Sequence, residues 1–184
     1  MRRRLELHPD SRCDAVTEIA VEVLRPEPGG LGLRYLVTGK IGGLILPPVT
    51  ALARADGLWR HTCFEAFLRA APGGAYYEVN LAPSRRWAAY RFEGYRDGMR
   101  SAEEIAAPLV EVRSEGDSFE LRAGLNFEGL PGPPGDGVWR LGLSAVIEEA
   151  GGRISHWALA HAPGKPDFHH SDCFALELPA AWRP

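Results

Sequence analysis

Two glutamates, an asparagine and an unusual density of rings fall between residues 58 and 92. Read as three consecutive strands, this stretch divides into two faces, because neighbouring side chains on a strand point to opposite sides. One face takes Leu58, Thr62, Phe64, Ala66 and Leu68, then Tyr77, Val79 and Leu81, then Ala88, Tyr90 and Phe92. That set is apolar enough to be buried. The other face carries Trp59, His61, Cys63, Glu65 and Phe67, then Tyr76, Glu78 and Asn80, then Trp87, Ala89 and Arg91. An ordinary solvent face holds Lys, Thr, Ser and Glu instead. Rings beside carboxylates, an amide and a guanidinium suit a polyol: the rings pack on C–H faces while Glu, Asn and Arg bond hydroxyls in pairs. The expected ligand contacts are Trp59, His61, Glu65, Tyr76, Glu78, Asn80, Trp87 and Arg91. The competing expectation is structural, with later loops covering this face and Glu65, Glu78 and Arg91 forming an ion-pair network.

A second chemical stretch runs from His156 to Asp172, out of a strand and into a Pro/Gly loop. Trp157 and His161 join the expected ligand contacts. His161, Asp167, His169, His170 and Asp172 also offer nitrogen and oxygen donors to a metal. Their spacing matches no established motif, and adjacent histidines on extended chain point apart. Asx turns by Asp167 and Asp172 explain the acids equally well, so no metal ligand is assigned.

Glu65 and Glu78 on neighbouring strands would also serve as a glycosidase pair, at a separation of about 5 Å or about 6.5–9.5 Å. No Gly-x-Ser-x-Gly elbow, phosphate-cradling loop or His-Glu-x-x-His helix accompanies them. His61 and Cys63 share a face only as i and i+2 neighbours, too loose for a thiolate–imidazole pair. A binder is favoured over an enzyme, and no catalytic residue is assigned. Rings on an outer face also allow a homodimer.

The elements that must position these groups read as strands. The chain has 184 residues, 45% hydrophobic and 24% charged, which fits one globular domain over 1–184. Twenty-one glycines and 15 prolines fall in clusters between apolar runs, such as 26–30, 72–74, 131–137 and 151–152. Phe119, Leu121, Ala123, Leu125 and Phe127 alternate with polar or small residues, as do Trp139, Leu141, Leu143, Ala145 and Ile147. Further strands are expected at 16–24, 31–38, 58–70, 76–82, 86–92, 109–114, 154–161 and 173–178, with one short helix near 100–106 capped by Ser101. The fold class is all-β, a β-sandwich of jelly-roll or immunoglobulin-like type.

The net charge of −3 argues against nucleic acid as a partner. No run approaches the roughly 20 apolar residues that span a bilayer. The basic start Arg2-Arg3-Arg4, read as a frayed end, is followed by Leu5-Glu6-Leu7-His8-Pro9-Asp10 rather than an apolar signal core. Three scattered cysteines make no disulfide framework, so the cytoplasm is the expected compartment.

Three blocks together resemble a known family: LWRHTCFEAFLR at 58–69, YYEVNLAPSRRWAAYRF at 76–92 and HWALAHAPGKPDFHHSDCF at 156–174. They look like the DOMON-like domains related to family 9 carbohydrate-binding modules, over about residues 16 to 178. Arg85 departs from the pattern, standing where glycine is common. The resemblance implies a β-sandwich with a small ligand on one side, a sugar in some branches and haem in others. Sugar-binding relatives clamp the ligand between two aromatic rings, which here implies Trp59, Trp87 or Trp157. Haem-binding relatives ligate iron through methionine and histidine. Only Met1 and Met99 are present, with Met99 in the polar loop 96–100, which weighs against haem. A soluble sugar, sugar nucleotide or glycan fragment is the expected ligand.

Overall fold

The computed structural model describes residues 1–27, 29–69, 74–130 and 138–179. Thirteen strands lie among them. In chain order they are β1 (Arg2–Leu7), β2 (Val16–Leu24), β3 (Gly30–Gly39), β4 (Ala53–Arg54), β5 (Cys63–Arg69), β6 (Tyr76–Leu81) and β7 (Arg86–Phe92). There follow β8 (Arg100–Ser101), β9 (Leu109–Glu115), β10 (Ser118–Asn126), β11 (Trp139–Glu148), β12 (Ile154–Ala158) and β13 (Leu176–Leu178).

One sheet runs β9-β10-β3-β2-β1 and the other β1-β12-β11-β5-β6-β7-β4, with β13 added beside β11 and β8 beside β7. β1 belongs to both. Its Arg2–Leu5 half pairs with β2, and Glu6 and Leu7 pair with Ala158 and Trp157 of β12. The expected frayed end is therefore a strand that joins the sheets. Backbone pairing needs no apolar side chain: Arg2, Arg3 and Arg4 stay exposed while Leu5 turns inward.

The sheets meet face to face, as expected of a sandwich. Phe64 of the second sheet stacks on Phe119 of the first, centroids 5.8 Å apart, and Tyr35 packs against Phe64 at 5.0 Å. Tyr35 stays satisfied inside this core because its hydroxyl donates to the Glu65 carbonyl at 2.8 Å. Phe119, Leu121, Ala123, Leu125 and Phe127 are all buried, as their alternation predicts, and so are Trp139, Leu141, Leu143, Ala145 and Ile147.

Several expectations are corrected. No helix forms near 100–106: Arg100 and Ser101 pair with β7, and a turn follows. The Arg54 guanidinium binds the carbonyls of Ala102 and Ile105 at 2.8 Å each, taking acceptors that a helix would use internally. The expected strand 58–70 begins only at Cys63, because Leu58–Arg60 is a 3-10 turn entered through left-handed Gly57. Ala70, and the 131–137 cluster, lie outside the described residues.

The faces of β7 are also exchanged relative to expectation. Trp87 lies opposite Leu81, and Ala89 opposite Val79, so both face the interior. Ala88, Tyr90 and Phe92 face outward, opposite Asn80, Glu78 and Tyr76. Apolar content could not decide the parity, because both faces of this sheet are covered. The connecting turn places Arg85 at φ 70, the left-handed region that favours glycine.

Candidate functional site

The outer face of the second sheet carries its own apolar layer. Phe67 and Tyr76, with Ala88, Tyr90, Phe92, Val146 and Ala158 around them, receive Phe168 and Phe174 from the segment that leaves β12. Gly142 permits this close approach, since a Cβ there would lie 3.1 Å from the Cys173 carbonyl oxygen. Asp167 fastens the segment. Its carboxylate takes bonds from Arg96 Nε and Nη2 at 3.2 and 2.8 Å, and from the Tyr95 hydroxyl. Arg96 holds this grip from a left-handed backbone, φ 53.

Covering is incomplete, and a cleft of about 330 Å³ remains. That is at the small end of the range for ligand pockets. Glu65, Glu78 and Val146 line it from the strands, and Trp59, Phe92 and Phe168 supply rings. Arg96, Met99, His156, Pro166 and His169 complete it.

Glu65 and Glu78 are nearly sealed, at 3% and 5% exposure, yet neither has an arginine or lysine partner among the described residues. Ser144 Oγ donates to Glu65 at 3.3 Å, and Asn80 Nδ2 donates to Glu78 at 2.7 Å. Burial, followed by the charge of Glu78, pushes the Glu65 carboxyl well up. Burial likewise raises Glu78 to about 7, against the pull of Asn80 and Arg96. His169 moves the other way, down to about 4, through burial and the nearby Arg96 charge. Its Nδ1 lies 2.8 Å from the Tyr76 hydroxyl and its Nε2 3.8 Å from Glu78. Burial thus favours the neutral form of His169 and tightens the hold of both carboxyl groups on their protons.

Of the expected contacts, Trp59, Glu65 and Glu78 line the cleft together. Tyr76 and Asn80 lie on the same face behind them, Tyr76 stacked on Phe92 at 4.8 Å and Asn80 fully buried. His61 does not line the cleft and pairs with Glu148 at 2.8 Å. Trp87 and Trp157 are corrected: both belong to the interior core. Arg54 stacks on Trp87 at 4.1 Å, and Trp157 donates to Ser155 Oγ at 3.0 Å. Arg91 follows Trp87 onto the other face, 3.5 Å from Glu93, so no Glu65–Glu78–Arg91 network exists. His161 bonds the Glu6 carbonyl through Nε2 at 2.8 Å and is not among the cleft residues. No cluster of three His, Cys, Asp or Glu groups suited to a metal occurs among the described residues.

Sequence reasoning did not count Phe92, Arg96, Met99, Val146, His156, Pro166, Phe168 or His169 among the ligand contacts, although it weighed His169 as a metal donor and Met99 as a haem ligand. The parity error removed Phe92. Arg96 and Met99 come from a distant turn, while His156 on β12 and Phe168 and His169 beyond it lie inside the chemically dense 156–172 stretch, the one local signal.

Neither a family model nor a curated protein matches the sequence. Among solved structures, the chain is similar to a "putative carbohydrate-binding protein" from Bacteroides uniformis, with 14% identity and TM-score 0.67, covering 94% of this chain and 83% of that one. Two structures of a family 9 carbohydrate-binding module from Caldicellulosiruptor kristjanssonii align more loosely. The glucose complex has 10% identity and TM-score 0.48 over 87% of this chain and 76% of that one. The cellotriose complex has 9% and 0.49 over 87% and 74%. At these identities, the likeness to the Bacteroides protein establishes a shared fold.

Proposed function

We propose that the chain is a small-ligand-binding module whose cleft takes a sugar or sugar derivative. The observation that carries this reading is the pair of buried carboxyl groups without cationic partners, set in a cleft walled by Trp59, Phe92 and Phe168. Buried polar groups with spare bonding capacity are costly unless a ligand uses them, and rings beside them match the alternating C–H and O–H surfaces of a pyranose. The name of the Bacteroides protein supports the same reading by analogy of fold.

Haem, the other ligand class the resemblance implies, fits less well. Met99, His156 and His169 do border the cleft. However, His169 is held between Tyr76 and Glu78, and two carboxyl groups on the floor are ill matched to an apolar porphyrin face. Catalysis by the Glu65–Glu78 pair is separable from binding by whether an aryl glycoside is turned over.

Isothermal titration of the intact chain with neutral and acidic mono- and disaccharides tests the proposal. At least one binds, and Glu78→Ala weakens it tenfold or more while Trp87→Phe leaves it unchanged. Failure of every sugar to bind at millimolar concentration overturns it. A Soret band after supplementation with haem would favour the porphyrin instead.

A further inference from the structure

Beside the proposed sugar cleft lies a second hollow of about 470 Å³, sharing His169 with it. Its chemistry is cationic. Arg69 of β5 and Arg140 of β11 stand directly opposite each other across the ladder, on the same outer face as Tyr76. Both line this hollow with Tyr76, Tyr95, His170 and Ser171.

Arg69 is the telling residue. It is 7% exposed, yet its side chain makes no hydrogen bond or ion pair among the described residues. Its Nε is sealed and partnerless, and the guanidinium lies over the Phe174 ring at 4.2 Å. The ring holds one face of the fork. A guanidinium remains charged at any physiological pH, and a desolvated one without an anion is unfavourable.

The other charges nearby are mostly committed. Arg140 pairs with Glu177 at 2.5 Å, and Arg96 with Asp167. Asp172 also borders the hollow, but its side chain is 60% exposed and lies 3.6 Å from His170. Two close guanidinium groups repel, and burial together with Arg140 weakens the hold of Arg69 on its proton. An oxyanion between them would remove both penalties and accept bonds in the planar fork geometry that arginine offers.

We infer that the Arg69–Arg140 hollow is an oxyanion subsite, so that the ligand is a sugar bearing a carboxylate or phosphate rather than a neutral one. The acidic group sits on Arg69, and the sugar ring reaches past His169 towards Glu78. This rests on the sugar reading of the adjoining cleft, although the anion site itself does not need it.

Titration of the intact protein with glucose, glucuronate, glucose 6-phosphate and inorganic phosphate, at constant ionic strength, separates the two claims. An acidic sugar binds at least tenfold more tightly than glucose. Arg69→Met, which keeps the stack on Phe174, erases that advantage and leaves glucose binding unchanged. Should Arg69→Met not fold, a thermal shift of the wild type by phosphate but not by chloride supports the site. Glucose binding without preference for either acidic sugar leaves the sugar reading standing and overturns the anion subsite. Phosphate binding that needs Arg69, with no sugar bound, supports the subsite and overturns the sugar reading. Absence of any binding overturns both.

Discussion

The two faces of the second sheet share one set of strands and differ in what they can tolerate. The inward face packs Phe64, Tyr77, Val79, Trp87 and Trp139 against the first sheet; the Tyr77 hydroxyl donates to Glu104 at 3.4 Å, and Tyr35 of the facing β3 donates to the Glu65 carbonyl. The outward face is nearly as buried, yet it places Glu65, Glu78 and Asn80 among Phe67, Tyr76 and Phe92. Burial alone therefore does not separate a structural core from a site. Buried carboxyl groups do: Glu65 and Glu78 lie on the outward face with no arginine or lysine partner among the described residues.

The contrast can be broken most forcefully from the inward side. Trp87→Ala removes a sealed ring and should cost about 3–5 kcal/mol of stability in chemical denaturation. Sugar affinity of the molecules that remain folded stays at the wild-type level. A specific loss of binding would place Trp87 in the site.

Glu78→Gln sharpens the contrast from the outward side through pH. The folded-state value of about 7 lies above the ordinary 4.5, so the folded chain holds this proton more tightly. The resulting stability is complete below pH 4.5 and lost as pH rises to about 7, roughly 3 kcal/mol in all. Glu65 shifts in the same direction. His169 opposes them: its value of about 4 against 6.5 makes stability rise as pH climbs between those values. Denaturation midpoints from pH 4 to 8 should show Glu78→Gln more stable than wild type above pH 7, with a steeper rise between pH 4 and 6.5. Equal profiles would mean that Glu78 titrates as an exposed carboxyl.

Trp59 is 38% exposed and touches Tyr90 edge-on at 5.8 Å. Trp59→Ala should therefore cost less than about 1 kcal/mol while weakening sugar binding at least tenfold. Binding that survives this change would place the ligand elsewhere. The smallest effect belongs to the turn: Arg85→Gly relieves the left-handed backbone but loses the Arg85 Nε bond to Val110 at 3.1 Å. Its midpoint should move by no more than about 1 kcal/mol.

Much of the fold was legible because alternation and glycine-proline clusters are local signals. β10 and β11 follow their apolar residues, and the departure at Arg85 pointed correctly to a turn that wants glycine. Joining the sheets through β1 was illegible, since pairing by an arginine-rich strand depends on a distant edge. In the site, Glu65 and Glu78 were found because β5 and β6 alternate cleanly, whereas Trp59 reaches the cleft from a 3-10 turn and not from the strand its parity assumed. Trp87 and Arg91 were misplaced because β7 is apolar on both sides. Phe168 and His169 could not be placed by pattern at all, since Asp167 and Arg96 bring them in through a long-range clamp.

The indole N–H signals of the four described tryptophans test the central claim most directly. Adding a binding sugar to isotope-labelled protein should shift the Trp59 signal progressively while those of Trp87, Trp139 and Trp157 stay fixed. A titration in which Trp59 does not move, or the interior indoles move with it, would contradict a ligand site on the outward face.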